Sequence, residues 1–217
     1  VSGLSKGVEH HSDSDAHLGR RSDRHASRGH RPPGHGRRGV ESDLHPGRPV
    51  VYIATGSNFP DALSPGPAAA KQGGPLLLVD RDSMSQVVRD ELTRLKPKRI
   101  VVVGFALSVG DALAADLAGY AENRNLIRLG GTDRYDTSEQ LNRAAFRTAK
   151  TVFLATGENF PDALSGATAA GYANSPLFAV PPTCVPNDIK AGGATRVVLF
   201  GGPGTLSDAV AKLAPCS

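Results

Sequence analysis

Ala54-Thr-Gly-Ser-Asn-Phe-Pro-Asp-Ala-Leu-Ser64 returns later in the chain as Ala155-Thr-Gly-Glu-Asn-Phe-Pro-Asp-Ala-Leu-Ser165, differing only at Ser57/Glu158. Self-similarity of this kind decides the architecture before any single residue does. The first copy is entered by the β-branched run Val50 to Ala54, which suits a buried strand, and Thr55-Gly56 suits the turn after it. Pro60 and Pro161 then stand where an opening helical residue tolerates a missing N–H.

The likeness extends outward. Gly74 to Val79 answers to Ser175 to Val180, and Arg99 to Gly104 answers to Arg196 to Gly201. Pro75 to Val79 and Arg99 to Val103 read as short strands, apolar apart from Arg99, with helices predicted over Met84 to Leu95 and Val109 to Leu117. Between the copies, Asn125 to Leu129 reads as a strand broken by Gly130-Gly131. A helical pattern follows over Thr132 to Ala149, with Tyr135, Leu141, Ala145 and Phe146 for its buried face. Short apolar strands alternating with helices predict an α/β fold whose short parallel sheets are covered on both faces. The two units are placed at 49–122 and 123–217.

Composition narrows the chemistry. Residues 1–49 hold 9 Lys+Arg and 6 Asp+Glu of the chain's 25 and 21, so 16 and 15 remain for 50–217 and the basicity belongs to the tail. That distribution gives the body no nucleic-acid signature. All seven histidines (His10, His11, His17, His25, His30, His35 and His45) also lie in the tail. A Ser-His-Asp triad or an imidazole-ligated zinc centre cannot be built from residues 50–217. No cofactor or metal site is expected, and no apolar run approaches the roughly 18–20 residues of a membrane span. The N-terminus shows no apolar stretch of a signal peptide.

The tail, residues 1–48, is rich in His, Arg, Gly and Ser without apolar periodicity, and is expected to be disordered. A metal- or polyanion-binding arm is the functional alternative, although its histidines follow no ligand spacing.

Arg128-Leu-Gly-Gly-Thr-Asp-Arg-Tyr-Asp-Thr-Ser138, Ala155 to Ser165, and Arg196 to Gly202 with Leu206-Ser-Asp-Ala209 resemble, in order, the three signatures of the type 2 cell-wall-binding repeats. These occur in tandem on surface proteins of Gram-positive bacteria. The resemblance implies tandem Rossmann-like units that attach a protein non-covalently to an anionic envelope polymer. It also implies an extracellular or cell-wall location and further repeats of the family as partners.

The first unit lacks the opening signature. Back-translating Arg24 to His35 and reading one nucleotide downstream permits Val-Thr-Arg-Leu-Ala-Gly-Thr-Asp-Arg-Leu-Ala-Thr, which is that signature. The tail therefore reads as an out-of-frame remnant of a repeat, and the gene's nucleotide sequence decides the matter.

Candidate polymer contacts are Arg128, Asp133, Arg134, Asn58, Asp61, Asn159, Asp162 and Ser165. Asn58/Asn159, Asp61/Asp162 and Ser64/Ser165 sit at strand-to-helix turns, where backbone N–H groups can receive an anion. The competing reading is helix capping and local packing, with first-turn acids complementing the helix dipole. Asp133 and Arg134 are read either as an internal ion pair or as the point where a guanidinium grips an acidic polymer. Arg128, Arg99 and Arg196 are further candidates for the same grip on an acidic polymer, with a solvated surface position as the expectation. Cys184 and Cys216 bracket the last strand and helix. A disulfide there would close a loop worth roughly 3–4 kcal/mol, and two buried free thiols are the alternative.

The function expected is non-catalytic wall binding. Its rivals are a non-functional fragment of a larger wall-anchored protein and a small Rossmann-like enzyme using Asp61 or Asp162 as acid or base.

Overall fold

In the computed structural model the described residues are 50–57, 62–186, 189 and 193–216. The tail, its disorder and its reading as a remnant lie outside them, as do Asn58 and Asp61. The elements run β1 (Val51–Thr55), α1 (Pro65–Lys71), β2 (Leu76–Val79), α2 (Gln86–Leu95), β3 (Ile100–Val103), α3 (Asp111–Ala118) and β4 (Leu126–Leu129). They continue with α4 (Arg134–Ala145), β5 (Thr151–Thr156), α5 (Phe160–Tyr172), β6 (Leu177–Val180), β7 (Arg196–Phe200) and α6 (Asp208–Ala211). The strands form one sheet in the order β2-β1-β3-β4 and a second in the order β6-β5-β7, with every pairing parallel. The repeated sequence thus makes the same local topology twice, with β1 and β5 at equivalent central positions.

Strand side chains alternate between two faces, so a strand buried on both sides must be apolar throughout. Val51 and Ile53 pack with Leu92, Leu95, Leu113 and Leu117 of α2 and α3 on one face. Val50, Tyr52 and Ala54 pack on the other with Ala68 and Ala69 of α1 and with Leu141, Ala145 and Phe146 at the end of α4. The second sheet buries Leu154 and Val180 on one face and Phe153, Ala155 and Leu177 on the other.

The boundary between sequence copies is not the boundary between sheets. β4, which opens the second copy in sequence, pairs with β3 through Ile100↔Leu126 to Val103↔Leu129 and completes the first sheet. The free edge of β3 carries backbone groups that need partners, and β4 supplies them. α4 then serves both units. Its apolar side covers the first sheet, while Ser138 Oγ accepts from Ala179 N at 2.9 Å and Asn142 Nδ2 donates to Leu177 O at 2.6 Å on edge strand β6. Tyr135, expected in the buried face with Leu141, Ala145 and Phe146, instead lies against Gly157.

Cys184 and Cys216 are joined in a disulfide across a sequence separation of 32. Val185 N donates to Ala214 O, and Cys216 N donates to Val185 O beside it. Among the described residues no helix is long and apolar enough to cross a membrane.

Candidate functional site

The turn after β4 and the turn after β5 meet at the C-terminal edge of the strands, the usual place for ligands in parallel α/β sheets. α4 begins there with Asp133 as its N-cap, whose Oδ1 accepts from the N–H groups of Tyr135 (2.8 Å) and Asp136 (2.9 Å). Asp136 accepts from Thr132 N at 2.9 Å and from Gln140 Nε2 at 3.0 Å. These bonds, the Gln140 amide first and then the Thr132 N–H, hold its carboxyl below the usual carboxylate range. Gly131 N donates to Thr137 Oγ1 at 2.9 Å. A Cβ at Gly131 would collide with the Asp136 carboxyl. Donors that an anionic ligand would seek at a helix N-terminus are therefore occupied by the protein's own acids and hydroxyls.

Arg134 does not pair with Asp133 among the described ion pairs; its Nη1 donates to Gly157 O at 2.8 Å and fastens α4 to the turn after β5. Gly157 accommodates this approach, since a Cβ there would stand 2.7 Å from Tyr135 Cε1. Burial beside this turn, with Glu158 next in effect, pushes the Tyr135 hydroxyl pKa up.

Arg128 is not the solvated residue expected from its position. Its Nη1 donates to Gly104 O (3.0 Å) and Val109 O (2.8 Å), and its Nη2 reaches Asp111 at 3.2 Å. It holds the turn between β3 and α3, and its side chain is only 20% exposed. Arg99, also expected to be solvated, is half-buried and donates to Gln72 Oε1 at 3.1 Å.

At the start of α5, Asn159 occupies the N-cap position with extended backbone, but its side chain makes no capping hydrogen bond, contrary to the capping reading. Asp162 lies in the first turn, beside the turn at Gly201. Ser165 is exposed, and its Oγ donates back to Pro161 O at 3.2 Å. Its repeat-equivalent Ser64 is 2% exposed and donates to Ser138 Oγ at 2.9 Å. One sequence position thus faces solvent in one copy and joins the units in the other.

Charge is unevenly distributed along the strands, with Arg81 and Arg134 as bases among the acids of the C-terminal edge. Asp80 and Asp82 follow β2, Asp133 and Asp136 follow β4, and Glu158 and Asp162 follow β5. Bases gather before the strands instead: Lys96, Lys98 and Arg99 before β3, Arg124 before β4, Arg147 and Lys150 before β5, and Arg196 opening β7. Glu122, before β4, is an acid on the basic edge. Sequence reasoning missed this because it took each signature by itself: Arg99 and Arg196 open matching repeat segments, whereas Lys96, Lys98, Arg124, Arg147 and Lys150 lie in the less similar segments between signatures. The signal that would have found it is their regular placement just ahead of each apolar run.

No group of three His, Cys, Asp or Glu side chains able to hold a metal occurs among the described residues. The family model for cell wall binding domain 2 (CWB2) matches residues 26–115 and again 128–211. This chain belongs to that family. Its family association is with the cell wall, and the partner the family implies is a cell-wall polymer.

Bacillus subtilis "Amidase enhancer" is 28% identical over 65% of this chain and 19% of its own length. N-acetylmuramoyl-L-alanine amidase LytC of the same organism is 26% identical over 59% of this chain and 25% of its own. The CWB2 chain therefore spans about a fifth to a quarter of these relatives. A Deinococcus radiodurans adenylate kinase is 31% identical over 40% of the chain and 46% of its own length. The 217 residues contain no Gly-Lys step and hence no Gly-x-x-x-x-Gly-Lys phosphate loop.

In structure the chain is similar to Cwp6 from Clostridium difficile, with TM-score 0.70 and 26% identity over 77% of this chain and 28% of that one. It also shares its fold with Cwp8 from the same organism, with TM-score 0.72 and 21% identity over 79% of this chain and 30% of that one.

Proposed function

We propose that this CWB2 chain is a non-catalytic anchor that holds its protein on an anionic polymer of the Gram-positive envelope, outside the membrane. The observation that carries the reading is the twofold match to a wall-binding family, one match for each repeat. Arg147, Lys150 and Arg196 add to it, since none meets a carboxylate among the described residues and their charge is available to a polyanion. Repeated weak ionic contacts along a repeating polymer give avidity without a deep site.

Further repeats are proposed as partners of the face formed by α1 and α5. There Leu164 is 55% and Tyr172 97% exposed beside the small residues Gly66, Ala70, Ala167 and Gly171.

The test is retention of the full chain on purified Gram-positive walls before and after removal of their anionic polymers. Retention that disappears with the polymer is expected. No retention by a folded sample would overturn the reading and favour a fragment that has lost binding.

A further inference from the structure

The basic edge of the second sheet holds an open cavity of about 390 Å³ between the end of α4 and the starts of β5 and β6. This lies within the range of small-molecule pockets, about 300–1,000 Å³. Its described lining includes Asn142, Phe146, Arg147, Val152, Pro176 and Phe178, with Arg143 at the same site and no carboxylate among these residues. Arg143 is held by Glu139. Arg147 is exposed and meets no carboxylate among the described residues. Lys150 O accepts from both Thr195 N and Arg196 N at 2.9 Å, which sets Lys150 and Arg196 side by side at the same edge.

Asn142 adds a second, independent feature. Its side chain is almost wholly buried, and its Nδ2 is fixed by Ser138 O at 2.8 Å and Leu177 O at 2.6 Å. Those two carbonyls settle the amide orientation, and Oδ1 is left with no donor. Buried acceptors are rarely left so. Apolar walls from Phe146, Val152 and Phe178 provide a surface for the C–H face of a sugar ring.

We propose that this cavity receives one acid-bearing sugar residue of the wall polymer, with Arg147 meeting its carboxylate or phosphate. This rests on the wall-polymer reading above and deepens it. A guanidinium grips either oxyanion in fork geometry, and Lys150 and Arg196 extend the positive field toward neighbouring acid groups of the same polymer. The opposite edge is unsuited to this role, because Asp133 and Asp136 already occupy the N-terminal donors of α4 and would repel a second anion.

The experiment measures retention on polymer-bearing walls for the full chain and for Arg147→Ala, Arg147→Lys and the distant control Arg124→Ala, each checked for an unchanged unfolding midpoint. Competition with glucuronic acid, glucose 6-phosphate and glucose, followed by amide shifts of Arg147 and its neighbours, separates a carboxylate from a phosphate requirement. Expected is a loss of about tenfold or more for Arg147→Ala, with smaller loss for Arg147→Lys and none for Arg124→Ala. At least one acidic sugar should shift the cavity amides, and glucose should not. Wild-type retention with Arg147→Ala bound equally well would overturn the cavity assignment and leave wall binding intact. Polymer-independent retention, or none, would overturn both.

Discussion

Ser64 and Ser165 occupy the same place in the repeated sequence, yet only Ser64 is built into the joint between units, and this predicts unequal responses to one substitution. Ser64 Oγ donates to Ser138 Oγ, which also accepts from Ala179 N on edge strand β6. Ser138→Ala would strand that buried N–H, a cost of about 1–3 kcal/mol. Alanine's better helix propensity would return only roughly 0.5 kcal/mol. Ser64→Ala removes one donor and leaves Ala179 N still bonded to Ser138, so about 0.5–1.5 kcal/mol is expected. Ser165→Ala removes an exposed bond to Pro161 O and should fall within about 0.5 kcal/mol of wild type. Urea unfolding of the full chain reads these values directly. At an m-value of about 2 kcal/mol/M, a loss of 1 kcal/mol lowers the midpoint by about 0.5 M. Equal midpoints for Ser64→Ala and Ser165→Ala, with Ser138→Ala unchanged, would refute the role of α4 as the joint.

Gly157→Ala should destabilise by about 1–3 kcal/mol because its Cβ would press on Tyr135. Gly56→Ala, the repeat-equivalent change, should be close to neutral because that Cβ meets Leu78 Cβ at an ordinary 3.7 Å. Thermal melts of the pair decide it, and similar losses for both would count against the packing. Reducing Cys184–Cys216 should lower stability by about 3–4 kcal/mol on the loop-entropy model, checked by urea unfolding with and without reductant. Asp136, whose folded pKa is lowered, contributes stability that is present above the ordinary carboxylate range and is lost as pH falls through its folded value. Asp136→Asn should therefore flatten the stability profile from about pH 4 downward, and an unchanged acid limb would exclude that contribution.

The sequence alone determined the strands, the helices and their repetition. An apolar β-branched run bounded by Thr-Gly and Pro is a local statement, and β1, β3 and β4 appear within a residue or two of where the pattern puts them. The family was legible for the same reason, since its signatures are the turns that every copy must form. Much of the candidate site was not legible. Arg128 looked like a surface cation, but the carbonyls of Gly104 and Val109 that it holds come from another segment of the chain. Asn159 reads as a cap in sequence and makes no capping bond, whereas Asp133, which reads as an ion-pair or polymer residue, accepts the helix N–H groups.

Only the tertiary structure decided which sheet β4 completes, which copy of the repeated serine is buried, and where unpaired positive charge collects. Strand pairing and side-chain partnership join distant segments, so two identical stretches acquire different roles from their surroundings. Ser64 meets α4 across the joint, whereas Ser165 bonds back to its own helix. No local pattern carries that difference, because its cause is what packs against each copy.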